Sequence, residues 1–131
     1  MALAALDHLV TQGKVRYIGA SSMYAWQFQK LLAISDQNHW ARFVSMQNHY
    51  NLVYREEERE MIPLCRQEGV GIIPWSPLAR GHLAGARRSF DDRSSTRRAE
   101  TDSYGHDLYD GPGDREIIEA VERVARTRGV S

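Results

Sequence analysis

Three short apolar segments recur along this chain at nearly equal intervals. They cover residues 15–20, 43–47 and 70–74, so that successive starts lie 28 and 27 residues apart. A step of this length holds one strand, one helix and two short loops. The segments are rich in Val, Ile and Met and almost continuously apolar, which is typical of parallel strands with both faces covered. The pattern therefore predicts an α/β fold in which three parallel strands alternate with helices through right-handed crossovers.

Helical spacing of apolar residues fills the intervals. It covers residues 2–12, which Gly13 ends, residues 24–37, and a segment that begins at Asp114 and ends near Gly129. The acidic run at 56–58 lies where a helix N-terminus favours negative charge. A helix follows this run as far as Gly69, and Pro63 predicts either a kink in it or a helix start close to the proline.

The stretch from 76 to 113 interrupts the periodicity. It contains many Ser, Asp and Gly residues and almost no repeating apolar positions. We expect one long Arg/Asp/Ser-rich loop within a single domain spanning 1–131, because segments of this length without structure are usually functional or mobile. The arginine pairs at 87–88 and 97–98 either contact phosphates as a lid or belong to a solvated loop balanced by Asp91 and Asp92.

Composition excludes several classes of partner. The 17 basic residues are balanced by 17 acidic ones, so no net charge favours nucleic acid or an anionic membrane. No apolar segment approaches the length of a membrane span, and the N-terminus lacks the basic region of a signal peptide. A single cysteine, Cys65, excludes an internal disulfide and fits a reducing compartment. We therefore expect a cytoplasmic protein with neither membrane nor nucleic-acid partners.

Polar and aromatic residues follow the predicted strands at their carboxyl ends. Ser21 and Ser22 come directly after the first apolar run, and Trp75 follows the third. Ligands of α/β sheets bind at this end of the strands. Two hydroxyls and an indole suit a flat polar ring, so the pattern predicts part of a nucleotide-cofactor site. The alternatives that involve no ligand are a serine pair that caps a turn and a tryptophan that packs at the rim of a barrel.

Other reactive side chains give no comparable pattern. His39, His49 and Cys65 lack the spacing of metal ligands, so a satisfied polar or core role is expected for them. Cys65 lies on the apolar face of a helix, which predicts a buried, unreactive thiol. The tyrosines at 17, 24 and 50 have no lysine at a spacing that suggests a proton donor.

Three parallel strands leave two sheet edges with unpaired backbone groups. Either the sheet pairs with another chain, or these strands are a piece of a larger barrel. A complete eight-stranded barrel requires roughly 200 residues or more. The 131 residues of this sequence are fewer.

Three ordered motifs bear on these possibilities. They are Gly-Lys-Val-Arg-Tyr-Ile-Gly-Ala-Ser-Ser at 13–22, Gln-Asn-His-Tyr-Asn at 47–51 and Pro-Trp-Ser-Pro-Leu-Ala-Arg-Gly-His-Leu at 74–83. Together they resemble the aldo-keto reductase family over essentially the whole chain. The resemblance implies a partial (β/α)8 TIM barrel, a truncated chain that covers roughly strands five to seven. It also implies NADP(H)-dependent reduction of a small aldehyde or ketone substrate.

The resemblance assigns roles to matching positions. Ser21, Ser22 and Gln47 match residues that hydrogen-bond the nicotinamide carboxamide, although many relatives carry Asn at the second position. Trp75 matches the aromatic residue, more often Tyr, on which the nicotinamide ring stacks. The remaining matches are Ser76, Leu78 and Gly81, which correspond to a loop whose backbone N–H groups approach the pyrophosphate. The less favoured alternative for Gln47 is an internal hydrogen-bonding group.

The family's catalytic Tyr, Asp, Lys and His all lie earlier in its sequence than the matched region, so no residue of this chain is expected to be catalytic. The grip on the adenosine 2′-phosphate lies mostly beyond residue 131. Reduction needs a proton donor beside the hydride donor. We therefore expect the isolated chain to be inactive. Two alternatives are a non-enzymatic NADP(H)-binding module and a truncated product that pairs with another chain through its open sheet edges.

Overall fold

The computed structural model of this chain describes residues 2–85, 102–109 and 111–130, which divide into two units. The first unit comprises Met1–Tyr50 and Glu56–Trp75, and the second comprises Asn51–Arg55 and Ser76–Ser131. Within the described residues, no helix combines the length and the apolar character needed to cross a membrane.

A parallel sheet of three strands organises the first unit. The strands are β1 (Ile18–Ser21), β2 (Phe43–Gln47) and β3 (Gly71–Ile72), and they lie in the order β1-β2-β3 with both pairings parallel. The register aligns Ser21 with Gln47, the last residues of β1 and β2. The predicted parallel α/β arrangement is therefore confirmed, with β2 in the centre and β1 and β3 at the edges.

Two strand boundaries differ from the prediction. The first strand begins at Ile18 rather than at residue 15, because the N–H groups of Lys14 and Val15 both donate to the Leu9 carbonyl in the turn that ends the preceding helix. The third strand is regular only over Gly71–Ile72. Beyond it, the N–H groups of Ile73 and Trp75 still bond to β2 and its extension, whereas the intervening Pro74 has no N–H to donate.

Three helices pack against this sheet, namely α1 (Ala2–Thr11), α2 (Ala25–Gln37) and α3 (Met61–Glu68). A 3₁₀ turn over Glu56–Glu58 precedes α3. Pro63 falls in the first turn of α3, where a helix loses no hydrogen bond to a missing N–H, so the predicted helix start near the proline is confirmed. Gly69 ends α3 with a φ of 68°, a left-handed conformation that suits glycine.

The helices cover one face of the sheet. The core cluster consists of Leu3, Ile18, Ala20, Phe28, Leu32, Phe43, Met46, Met61, Cys65 and Val70. Burial alternates along β1, whereas in β2 only Phe43 and Met46 are buried and the other three residues are partly or fully exposed. Val44 and Ile73 are 45% and 51% exposed, so the expectation that both faces of the sheet are covered is wrong for this unit. The three helices pack into a single core on one face of the sheet, so they do not cover the face that carries Val44 and Ile73.

The second unit contains the 3₁₀ segment Ala79–Ala84, α4 (Ser103–Tyr109) and α5 (Asp114–Arg128). The bounds predicted for the last helix are confirmed, and Gly129 caps it with a φ of 64°. The prediction of one loop over 76–113 is wrong at two places, because the 3₁₀ segment and α4 both fall within it. A seven-residue helix is too short to show apolar periodicity. The arginine pairs and aspartates at 87–98 lie outside the described residues.

Candidate functional site

Four of the predicted site residues meet at the carboxyl ends of the strands. Ser21, Ser22, Gln47 and Trp75 form what we call the rim cluster. The Ser22 N–H donates to the Gln47 carbonyl over 3.0 Å, and the Ser21 hydroxyl donates to the same oxygen over 3.3 Å. Both serine residues and the Gln47 residue are solvent-exposed. Parallel pairing of β1 with β2 thus brings two hydroxyls and one primary amide to a common, accessible edge.

Trp75 joins the cluster through its backbone and its side chain. The Trp75 N–H donates to the Asn48 carbonyl over 2.9 Å, and its residue forms a parallel bridge with His49. The indole Nε1–H donates to the Ser22 hydroxyl over 3.1 Å. The residues that follow all three predicted strands therefore converge on one rim, as the sequence indicated.

The imidazole of His49 lies flat against the indole of Trp75. The two ring centroids are 4.0 Å apart and the ring planes differ by 10°. His49 is only 6% exposed, and burial lowers the pKa of its imidazole from the ordinary value of 6.5. At neutral pH, the imidazole that stacks on Trp75 is therefore uncharged. The expected core role of His49 is confirmed, but its contact with Trp75 could not be anticipated from spacing.

The acidic run at 56–58 supports the same region. Asn48 is fully buried and donates through Nδ2 to Glu57 Oε2 over 3.1 Å, while the Tyr50 hydroxyl donates to Glu58 Oε1 over 2.6 Å. The amide oxygen Oδ1 of the asparagine is buried and has no hydrogen-bond partner among the described residues. Two of the acids predicted to stabilise a helix N-terminus therefore hold the segment that carries His49.

Cys65 is a buried thiol, as predicted. It is fully buried in the core of the first unit, and burial, with a smaller contribution from the charge of Glu57, raises the pKa of its thiol. A thiol with a raised pKa stays protonated and unreactive at neutral pH. Across the described ranges, no three His, Cys, Asp or Glu side chains are grouped so that they could hold a metal ion.

The other three predicted residues, Ser76, Leu78 and Gly81, belong to a tight turn of the second unit. The Ser76 carbonyl accepts from the Ala79 N–H over 2.9 Å, and the Leu78 carbonyl accepts from the Gly81 N–H over 3.0 Å. Gly81 has a φ of 104°, which explains a glycine at this position. The Gly81 N–H therefore already makes a hydrogen bond within the turn. The Leu78 residue is 56% exposed.

A buried polar network in the second unit holds this turn. Asn51 donates through Nδ2 to the Ser76 carbonyl over 2.9 Å and to the Tyr109 hydroxyl over 3.0 Å. Tyr109 is fully buried, and burial raises the pKa of its phenol. Arg80 donates through Nη2 to Asp102 Oδ1 over 2.8 Å and through Nε to Oδ2. No sequence pattern predicts this network, because its members are single polar residues far apart in the chain.

Comparison with known proteins identifies related chains. The sequence model of the Aldo/keto reductase family matches residues 1–131. A Schizosaccharomyces pombe protein named as an aryl-alcohol dehydrogenase is 50% identical over 129 residues, which cover 98% of this chain and 36% of the relative. The versiconal hemiacetal acetate reductase of Aspergillus parasiticus is 50% identical over 98% of this chain and 37% of its own length. An aldo-keto reductase of Alternaria alternata is 49% identical over 98% of this chain and 34% of its own length. The chain thus spans little more than a third of the length of these relatives.

Proposed function

We propose that this chain, which belongs to the aldo/keto reductase family, contributes the nicotinamide-binding surface of an oxidoreductase that reduces aldehydes or ketones with NADPH. The family has a (β/α)8 barrel fold, and the three parallel strands and their helices are an open part of such a barrel. The relatives that are named as reductases support the type of reaction.

The convergence of the rim cluster carries the proposal. A nicotinamide is a flat ring with one carboxamide, which has both hydrogen-bond donors and an acceptor. Two serine hydroxyls and the Gln47 amide offer complementary donors and acceptors. The indole of Trp75 offers an apolar surface at the same rim, since its N–H reaches Ser22 over 3.1 Å. The residues present therefore fit the ring that the family uses.

The residues of the rim cluster have two different roles in this proposal. Ser21, Ser22 and Gln47 hold the carboxamide, and Trp75 covers one face of the ring by stacking. Bound NADPH would supply the hydride, and the contacts of these residues would set which face of its ring is open to the carbonyl substrate. The rim cluster itself moves no proton. It binds and orients, and no residue of this chain is assigned a catalytic role.

The turn that contains Ser76, Leu78 and Gly81 is proposed to bind pyrophosphate. Backbone N–H groups in turns with left-handed residues bind anions well. Ser76 and Gly81 both have positive φ values, of 52° and 104°. Because the N–H groups of Ala79 and Gly81 already bond to carbonyls within the turn, this proposal relies on the N–H groups of Ser76 and Leu78.

We propose that the 131 residues alone bind NADP(H) but do not catalyse reduction of a carbonyl substrate. The family's proton donor lies earlier in its sequence than the region that corresponds to this chain. The alternative is a non-enzymatic NADP(H)-binding module, or a chain that pairs with another through its sheet edges. The edge strands β1 and β3 could pair in this way, and the exposed Val44 and Ile73 add apolar surface on the face of the same sheet. The balanced charge and the family are consistent with a cytoplasmic protein without nucleic-acid partners.

A calorimetric titration of the chain with NADPH tests the proposal. Binding should be saturable and should weaken about tenfold in Trp75→Ala, since an aromatic contact contributes about 0.5–1.5 kcal/mol. Trp26→Ala is the matched control, because Trp26 is 63% exposed on α2 and should leave the affinity unchanged. Equal affinity in Trp75→Ala, or no binding by the parent chain, would contradict the proposed function.

A further inference from the structure

We infer that His49 is a positioning residue for the cofactor: it supports the rear face of the Trp75 indole, so that only the opposite face can stack on a nicotinamide ring. This inference rests on the proposed function and extends it to a residue that does not itself touch the cofactor.

The stacking geometry is the first observation. Ring centroids 4.0 Å apart with planes 10° from parallel leave no room for another planar group between His49 and Trp75. The His49 residue is buried at 6% exposure, whereas the Trp75 residue is only partly buried. The accessible surface of the indole therefore lies on its edges and on the side away from the imidazole.

The backbone fixes both residues relative to each other. His49 and Trp75 form a parallel bridge, and the Trp75 N–H donates to the Asn48 carbonyl over 2.9 Å. Asn48 is in turn fully buried and held by Glu57 over 3.1 Å. The support for the indole is thus part of the sheet extension.

Ser22 supplies a second restraint of a different kind. Stacking on His49 fixes the plane of the indole, whereas the hydrogen bond from Nε1 to the Ser22 hydroxyl fixes its rotation within that plane. A tyrosine at position 75 has no N–H with which to make this bond. A ring held in both respects loses little conformational entropy when a ligand stacks on it, which favours affinity.

The ligand-free chain provides the first test. In a Trp26→Phe, Trp40→Phe background, Trp75 is the only tryptophan, so its emission reports on the indole directly. His49→Ala should raise the rate of acrylamide quenching about twofold and shift the emission to longer wavelength. His49→Phe, which keeps a planar ring at this position, should retain the parent values. Unchanged quenching in His49→Ala would overturn the inference that His49 covers one face of the indole.

Rotation of the indole tests the role of Ser22. Time-resolved anisotropy of Trp75 should show faster local motion in Ser22→Ala than in the parent chain. Ser22→Thr keeps the acceptor hydroxyl and should preserve the slow decay. Identical decays in all three proteins would show that the hydrogen bond does not restrain the ring.

NADPH titrations in the same background separate this inference from the proposed function. We expect His49→Ala to weaken binding about five- to tenfold and His49→Phe to restore it to within about threefold, in line with the free energy of an aromatic pair. Near-ultraviolet circular dichroism checks that both variants are folded. If the parent binds and His49→Ala binds equally well, the positioning role is refuted while the proposed function stands. If the parent does not bind NADPH, the proposed function fails, and the quenching and anisotropy data still decide whether His49 and Ser22 hold the indole.

Discussion

The indole N–H of Trp75 donates to the hydroxyl of Ser22 over 3.1 Å, although the two residues lie 53 positions apart in the sequence. Ser22 follows the edge strand β1, and Trp75 follows the opposite edge strand β3, so their side chains connect across the end of β2. The Ser22 backbone also bonds to Gln47 at the end of β2. Changes within this rim cluster should therefore be non-additive, because its members share hydrogen-bond partners.

Gln47→Ala should weaken NADPH binding without destabilising the first unit. The Gln47 residue is exposed, and its backbone, not its amide, holds the rim cluster together. One lost hydrogen bond corresponds to about 1 kcal/mol, or roughly a fivefold rise in the dissociation constant. Isothermal titration calorimetry measures this effect, with Gln29→Ala, an exposed glutamine on α2, as the control. An equal loss of affinity in both variants would remove Gln47 from the site.

Gly19→Ala should destabilise the sheet through contact with Ser45. A Cβ at position 19 would lie 2.5 Å from the Ser45 hydroxyl oxygen on the neighbouring strand. Overpacking of this kind costs about 1–3 kcal/mol in the free energy of unfolding. The double variant Gly19→Ala, Ser45→Ala should recover most of that loss in urea denaturation. Failure of the second substitution to restore stability would show that the contact with the Ser45 hydroxyl is not the cause of the loss.

The first unit should lose stability as the pH falls below about 6.5. Burial lowers the pKa of His49 from its ordinary value of 6.5, so the unfolded chain takes up a proton before the folded chain does. The stabilising contribution of the neutral imidazole is complete above the unfolded pKa and is lost progressively as the pH falls towards the folded value. Urea midpoints at pH 7.5 and pH 5 measure the effect.

His49→Phe should reduce this acid loss, because it keeps the ring but removes the titrating nitrogen. His8→Gln is the matched control, since the His8 residue is exposed on α1, and it should preserve the loss. An identical pH dependence in His49→Phe and the parent chain would assign the acid sensitivity to other groups.

Asp102→Ala should destabilise the second unit by about 2–4 kcal/mol, since its carboxylate is a partner of Arg80 and a cap of α4 at once. The Asp102 side chain is 7% exposed, and it also accepts the Gly105 N–H over 3.1 Å. Amide hydrogen exchange at Gly105 reports the change. Arg115→Ala breaks an ion pair with side chains 82% and 52% exposed and should cost less than about 0.5 kcal/mol. Equal costs for the two variants would contradict a structural role for the Arg80–Asp102 pair.

Sequence periodicity predicted the parts of this chain in which one residue pattern controls one element. The bounds of β2 and α5, the parallel pairing and the helix start near Pro63 follow from apolar spacing and backbone chemistry alone. The helix α4 could not be found in this way. It is short, and it is held by the buried Tyr109, whose hydroxyl accepts from Asn51, and by the cap from Asp102.

The rim cluster was predictable for the same reason as the sheet, since parallel strands bring their carboxyl ends together. The stacking of His49 on Trp75 was not, because burial and tertiary packing determine which face of an aromatic ring is covered. The sequence also did not predict that the sheet face carrying Val44 and Ile73 is exposed. Val44 and Ile73 are as apolar as the residues on the covered face, so composition does not distinguish the two.

Transferred nuclear Overhauser effects between NADPH and the indole protons of Trp75 test the central claim most directly. In the Trp26→Phe, Trp40→Phe background, the indole of Trp75 is the only one that can give rise to such signals. We expect cross-peaks from the nicotinamide ring protons to the indole protons, and we expect them to vanish in Trp75→Ala. Binding of NADPH without any nicotinamide–indole cross-peak would show that the strand ends gather these residues for a purpose other than holding the redox ring.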